Sequence, residues 1–289
     1  MAKYTLLGLV IVIRMRILIL GSLTIDYIED REKPGGPALY CALALEAYGV
    51  DYFCYGARPR RYRWQRPHGF FVEGEGPIFV HRYYKDTRLS KLLGRPPMVS
   101  SIIGLEEYDA AIISPVFGEF PFQIVDVVLD RLYSAVDLQG FIRIVDDEGN
   151  IAYKRMDFLA INALEKARLI HMSGEEHRIQ RELPEKPIKV ITYGSKGCTL
   201  ILEHKKYFIP AYSVHGDSTG AGDFFTAILL VRLLETKNPL ESTIYATAAT
   251  SLFIDGTLGR TLGDIDRFSK HEDELNRRIN IIADGVKKY

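Results

Sequence analysis

Short apolar runs alternate along the chain with longer mixed segments that carry turn residues at their ends. Arg16 to Leu20 is apolar and β-branched and stops at Gly21-Ser22, which predicts a buried strand. After the break Pro34-Gly35-Gly36-Pro37, Ala38 to Tyr48 is rich in Ala and Leu and ends at Gly49, which predicts a helix. Asp51–Tyr55, Ala110–Ser114, Ala135–Leu138, Leu169–Met172 and Ile188–Tyr193 read as further strands, followed by Thr199–Glu203 and Lys206–Pro210. Helices are predicted over 122–132, 157–166, 175–182, 220–234, 240–253 and 264–282. This alternation predicts an α/β fold with a mostly parallel central sheet and helices on both faces. Residues 57–100 break the rhythm. There, Gly69–Val72 and Ile78–Tyr84, joined by Glu73-Gly74-Glu75-Gly76-Pro77, predict a β-hairpin standing off the main body.

Composition narrows the class. The 289 residues are 47% apolar and 26% charged, which excludes a disordered chain and leaves room for one large α/β domain or two small ones. Lysine plus arginine and aspartate plus glutamate both number 37, so nothing draws the whole chain to nucleic acid or an anionic membrane. Cys41, Cys54 and Cys198 lack metal-ligand spacing, which argues against a disulfide framework or zinc cluster and for a reducing, cytoplasmic setting. Scarce Asn and Gln with plentiful Arg lean towards a thermophilic source. Tyr4 to Ile13 is apolar and follows Lys3, imitating a short signal peptide, but no small-residue cleavage site follows and the run is too short to cross a bilayer. Residues 1–14 therefore read as an N-terminal extension, with Met15 the natural start and 15–289 the domain.

The segment richest in chemistry is Asp217-Ser218-Thr219-Gly220-Ala221-Gly222-Asp223, which opens a long apolar helix. Small residues at a helix start leave backbone N–H groups uncovered where the helix dipole is positive, a ready anion site. A carboxylate placed there, Asp223, can take a proton from an attacking hydroxyl. Positioning plus charge stabilisation is what phosphoryl transfer asks of a protein. Close packing of a Gly/Ala-rich helix start is the competing reading. Asp26 lies just past the carboxyl end of the first domain strand, where ligands bind in open α/β sheets, or it caps a turn. Gly35-Gly36 can serve a ligand or merely a helix entry, and Gly194 with Gly197 can be a plain hairpin turn. Asp137, Gln139 and Arg143 offer polar groups suited to ring hydroxyls, or form a solvated loop.

The 217–223 stretch resembles the C-terminal signature of the ribokinase-like (PfkB) carbohydrate kinases, D-[ST]-T-G-A-G-D followed by a helix. Four further segments fit the same family in order and spacing. They are Gly21-Ser22-Leu23-Thr24-Ile25-Asp26, Gly35-Gly36, Ser173-Gly174-Glu175-Glu176 and Thr192-Tyr193-Gly194-Ser195-Lys196-Gly197. Ser173 stands where the family has Asn, and Ile228 where it has Ala or Gly. The resemblance implies a ribokinase-like fold with a small β lid built from about 24–34 and 66–98. It implies an ATP- and Mg2+-dependent kinase acting on a small-molecule hydroxyl, with Asp223 as base and the N–H groups of Gly220, Ala221 and Gly222 as anion hole. It also implies substrate contacts from Asp26, Gly35 and Gly36, and nucleotide contacts from Thr192, Gly194, Lys196, Gly197, Asp217 and Thr219. Glu176 would orient magnesium, and Asp217 would help hold a monovalent cation. Phe117-Gly118-Glu119-Phe120-Pro121 and Asp137 to Arg143 resemble a compact subgroup that includes inositol kinase-like proteins. On that likeness myo-inositol is the leading acceptor, with Gln139 and Arg143 on the substrate. A nucleoside kinase, or a non-catalytic binding protein on the same fold, are the rivals. No nucleic-acid or membrane partner is expected, and the chain is expected to be a monomer or a lid-mediated homodimer.

Arg58, Arg60, Arg61, Arg63 and Arg66, interleaved with Tyr62 and Trp64, imitate a nucleic-acid patch. With zero net charge and Pro59 and Pro67 bracketing them, a solvated lid edge is the preferred reading. His171, His177 and Cys198 are expected to pack or face solvent rather than bind metal or attack substrate.

Overall fold

In the computed structural model, which describes residues 3–6, 9–12, 15–84 and 87–289, two short strands pair within the expected extension. They are β1 (Lys3–Leu6) and β2 (Leu9–Val12), and the rest of residues 1–14 lies outside the described residues. The domain then runs β3 (Arg16–Leu20), β4 (Thr24–Ile28), β5 (Arg31–Gly35), α1 (Pro37–Tyr48), β6 (Asp51–Pro59), β7 (Gly69–Gly74), β8 (Ile78–Tyr84) and β9 (Thr87–Gly94). Next come β10 (Ala110–Ile113), α2 (Phe122–Arg131), β11 (Tyr133–Asp137), α3 (Gln139–Ile142), β12 (Arg143–Val145), β13 (Ile151–Tyr153) and α4 (Phe158–Ala163). They are followed by β14 (Leu169–Ser173), α5 (Gly174–Ile179), β15 (Ile188–Thr192), β16 (Cys198–Leu202) and β17 (Lys205–Ile209). The chain closes with α6 (Ala221–Thr236), α7 (Pro239–Ile254), α8 (Glu272–Asp284) and β18 (Lys287–Lys288).

The main sheet has ten strands in the order β18-β17-β16-β15-β14-β11-β10-β3-β6-β7. From β15 to β7 every pairing is parallel, and beyond β15 the strands turn antiparallel. Alternate side chains of a strand point to opposite faces, and β3 shows it. Ile17 and Ile19 join a core shared with α1, α6, α7 and α8, while Leu18 and Leu20 join a second core shared with α2. Both faces are therefore dry, as a parallel sheet requires. Helix α6 is buried continuously from Phe224 to Val231, packed between α1 and α7, and accordingly apolar all round. The expected mostly parallel sheet with helices on both faces is present.

A second sheet of four strands, β5-β4-β8-β9, stands beside it. This corrects the expected 69–84 hairpin. β7 pairs parallel with β6 and extends the main sheet, whereas β8 pairs with β4 and β9. Period-two alternation marks both stretches as strands but does not name their partners. The expected helix over 264–282 also starts late, at Glu272, after a short 3₁₀ turn over Phe268–His271. Before it, the Asp266 N–H donates to the Leu258 carbonyl and the Thr261 hydroxyl to Asp264, which fold that segment back on its own loop.

In this order the chain leaves β3 towards β6 on one side and reaches β10 on the other, so a crevice opens past the carboxyl ends of β3 and β10. Buried Glu119 closes its floor. Its oxygens accept from Ser22 Oγ (2.7 Å), Val116 N (2.9 Å) and Phe117 N (2.9 Å), joining the segments after β3 and β10.

Candidate active site

Asp223 is the third residue of α6, after Gly220 at the helix cap and Ala221 and Gly222 in the first turn. Gly220 holds a left-handed φ of 75° and lies flat against Tyr40, where an added Cβ would come within 2.1 Å of the ring. Only glycine allows that approach. The Ala221 N–H donates to the Ser218 carbonyl at 3.1 Å. Of the three N–H groups expected to meet an anion, that of Ala221 is therefore already engaged, while those of Gly220 and Gly222, and of Asp223 itself, have no intrahelical acceptor at the helix start.

Strand ends supply the rest. Ser114, just past β10, donates its hydroxyl to Asp223 Oδ1 at 3.0 Å, and Gln139, opening α3 just past β11, donates Nε2 to the same oxygen at 3.3 Å. Arg143 donates to Gln139 Oε1 at 2.8 Å and to the Val116 carbonyl at 3.1 Å. Gln139, one of the expected substrate residues, thus meets Asp223 directly, and Arg143, the other, meets it only through Gln139. Asp137 does not offer itself to substrate. Its Oδ1 accepts from Gln139 N at 2.9 Å, and its Oδ2 lies 2.6 Å from His171 Nδ1.

Burial drives the Asp223 carboxyl up to about 7, reinforced by the Asp137 charge and offset by the Ser114 hydrogen bond and the charges of His171 and Arg143. For His171 burial works the other way, yet the hydrogen bond and charge of Asp137 hold it above its ordinary range. A carboxylate titrating near neutrality, next to uncovered N–H groups, is suited to take a proton from a hydroxyl beside a bound anion.

Asp217 closes the other side of the turn. Its Oδ1 accepts from Thr219 N at 2.9 Å, and Lys33 from β5 reaches its Oδ2 at 3.4 Å. Burial would raise this carboxyl, but the Thr219 hydrogen bonds and the charges of Arg260 and Lys33 hold it below the usual range. Both the side chain and the backbone N–H of Thr219 hydrogen-bond Asp217, and its carbonyl accepts from Arg260 at 3.0 Å. Asp26, on β4, is buried, accepts from Thr24 Oγ1 at 2.7 Å, and lies against Gly35, where a Cβ would sit 2.2 Å from its Oδ2. Gly36 caps α1 with φ 95°, a Cβ there meeting the Ser22 carbonyl at 2.2 Å. These residues join the cluster through Tyr40. Burial and the charges of Asp26, Asp217 and Asp223 raise its phenol.

The turn after β15 is less engaged. Thr192 Oγ1 faces inward, 3.2 Å from His171 Nε2, and so is turned away from any ligand passing outside. Gly194, Lys196 and Gly197 form the turn itself, with Lys196 exposed. Glu176 closes a capping box on α5. One oxygen accepts from Ser173 N at 2.7 Å while Ser173 Oγ accepts from Glu176 N at 3.2 Å. Burial and Asp137 raise its carboxyl. Its second oxygen takes no part in the cap. Among the described residues no group of three or more His, Cys, Asp or Glu could hold a metal ion. A monovalent cation at Asp217 does not fit, because Arg260 already fills that position.

Sequence reasoning missed Ser114, His171, Tyr40, Lys33 and Arg260. His171 carried a signal, since a titratable residue in the apolar strand Leu169–Ser173 needs a buried partner. The arginines at 58–63 meet acids: Arg58 with Glu73, Arg60 with Glu75, and Arg61 and Arg63 with Glu32 of the small sheet. Cys41, Cys54 and Cys198 are free and buried, and no helix among the described residues is long and apolar enough to cross a membrane.

Residues 150–261 match the model of the pfkB family carbohydrate kinases. A nucleoside kinase of Thermoplasma acidophilum is 32% identical over 109 residues, 36% of this chain and 36% of that protein. An inositol 3-kinase of Arabidopsis thaliana is 24% identical over 91% of this chain and 80% of that protein. A solved pyrophosphate-dependent kinase of the ribokinase family, complexed with a pyrophosphate analog and myo-inositol, superposes with a TM-score of 0.64. It is 20% identical and covers 83% of this chain and 95% of its own, so the fold is ribokinase-like.

Proposed function

We propose that this chain, which belongs to the pfkB family of carbohydrate kinases, transfers the terminal phosphoryl group of ATP to a hydroxyl of a small polyol, myo-inositol first among the candidates. The observation that carries the reading is Asp223, pushed up to about 7 beside the uncovered N–H groups at the start of α6. The Asp223 carboxylate takes the proton of the acceptor hydroxyl. The resulting alkoxide attacks the terminal phosphorus, the bond to the leaving oxygen breaks, and the diphosphate departs with the electron pair. The N–H groups of Gly220 and Gly222 face the charge that grows on the phosphoryl oxygens. Ser114, Gln139 and Arg143 orient the acceptor, with Asp26, Gly35 and Gly36 on its far side. Gly194, Lys196 and Gly197 border the nucleotide. The small sheet serves as the lid that excludes water. Glu176 would help hold magnesium, which when bound would neutralise phosphate charge.

A nucleoside acceptor is the second reading, favoured by the Thermoplasma relative, whose matched part is the more similar of the two. Free, buried thiols support a reducing cytoplasm, and a monomer or a dimer through the small sheet suits its open edges. The test is an acceptor screen with myo-inositol, ribose, fructose, adenosine and cytidine, each against ATP and pyrophosphate, with Asp223→Asn as control. Transfer to myo-inositol that Asp223→Asn abolishes is the expected result. Transfer to adenosine or cytidine alone selects the second reading, and no transfer to any acceptor overturns the kinase assignment.

A further inference from the structure

Behind the turn that opens α6, three backbone carbonyls converge on one guanidinium. Arg260 Nη1 donates to the Asp217 carbonyl at 2.7 Å and the Phe253 carbonyl at 3.2 Å, and Nη2 donates to the Thr219 carbonyl at 3.0 Å. The Asp217 carboxylate lies 3.9 Å from Nη2, and the guanidinium stacks over the Phe253 ring at 4.2 Å. Two carbonyls come from the turn itself and one from the last turn of α7, a helix end that is itself electronegative. Converging carbonyl oxygens are what a bare cation asks for. Here three N–H bonds from a permanently charged group answer them instead. Gly256 and Gly259, at φ 81° and 85°, bend the loop after α7 so that residue 260 returns to the turn.

We infer that Arg260 is a resident substitute for a monovalent cation, fixing the 217–222 turn and placing a permanent positive charge behind the anion-binding N–H groups. The site is thus independent of potassium. The inference rests on the anion site of the proposed function but not on the acceptor or on turnover. An added ion at the same carbonyls would have to displace the guanidinium against like charge, which excludes joint occupancy.

The test measures two things on the full chain, in choline, sodium and potassium chloride at equal ionic strength. One is the unfolding midpoint of the ligand-free protein, and the other is binding of inorganic pyrophosphate by calorimetry. The unsubstituted protein is expected to show the same values in all three salts. Arg260→Ala is expected to lose about tenfold in pyrophosphate affinity and several degrees in midpoint in choline, with potassium restoring both. Arg260→Lys, which keeps a charge but not the fork, is expected to fall between them. A potassium dependence of the unsubstituted protein, an Arg260→Ala variant unchanged in choline, or a loss that potassium does not restore would each overturn the inference. If pyrophosphate binds in no salt, the anion site of the proposed function fails, and the midpoints still decide the role of Arg260.

Discussion

Asp223→Asn should make the protein more stable while it makes it inactive. The Asp223 carboxyl titrates near 3.8 in a free chain and about 7 in the folded one. The folded state therefore binds an extra proton between those values. The stability this group contributes is fully present below about pH 4 and is lost as pH rises through 7. The span of roughly three units is worth about 4 kcal/mol at pH 8 if nothing screens it. Asp223 is half-buried at the crevice wall, and water there reduces the cost to about 2 kcal/mol. Asparagine keeps the oxygen that accepts from Ser114 and Gln139 and drops the charge. Denaturant melts of both proteins should show Asp223→Asn ahead by about 2 kcal/mol near pH 8 and by about half that near pH 5.5. A variant equally or less stable than the parent near pH 8 would refute the claim that an ionised Asp223 is held there at a cost.

The same group sets the pH dependence of turnover. With the acceptor found in the screen, kcat/KM should fall on the acid side with an apparent pKa of about 7. In His171→Asn, which leaves the Asp137 charge uncompensated, that limb should move up by about one unit, and an unmoved limb would dissociate the buried pair from the base. Glu119→Ala strands two backbone N–H donors and the Ser22 hydroxyl in a dry crevice floor, and urea melts should show a loss of about 3 kcal/mol. Gly220→Ala forces a Cβ onto Tyr40 and strains a left-handed φ, so kcat/KM should drop by about a hundredfold with the fold retained by circular dichroism.

The elements legible in the sequence are those whose signal is local. β3 is a continuous apolar run ended by Gly21 and α6 one opened by Gly220, and the 217–223 turn combines a conformational and a chemical signal in seven residues. The parts that stayed hidden are those defined by a distant partner. β4 and β5 carry mixed polar residues and become strands by pairing with each other and, for β4, with β8. His171 looks like a stray polar residue until the parallel register sets it opposite Asp137, 34 positions away. Arg260 belongs to no motif, and its role appears only when the loop after α7 returns it to a turn 43 residues earlier. The arginines at 58–63 misdirect for the same reason, because their acids lie on β5, on β7 and in the bend just after β7.

The distribution of charge at the crevice explains why one aspartate among several is the base. Asp137 has His171 at 2.6 Å, and Asp217 has Lys33 at 3.4 Å and Arg260 at 3.9 Å. Among the described residues Asp223 has no cation at ion-pair distance. Its partners are a hydroxyl and an amide, both on Oδ1, which hydrogen-bond it without countering its charge. Arg143 would be a counter-ion if it reached Asp223, but Gln139 stands between them and accepts its N–H instead. A direct guanidinium contact would favour the ionised carboxylate and depress its pKa. The interposed amide keeps the arginine near enough to orient an acceptor and too indirect to neutralise the base. A side chain that relays position without relaying charge is what lets a half-buried carboxylate titrate near neutrality beside a phosphate site.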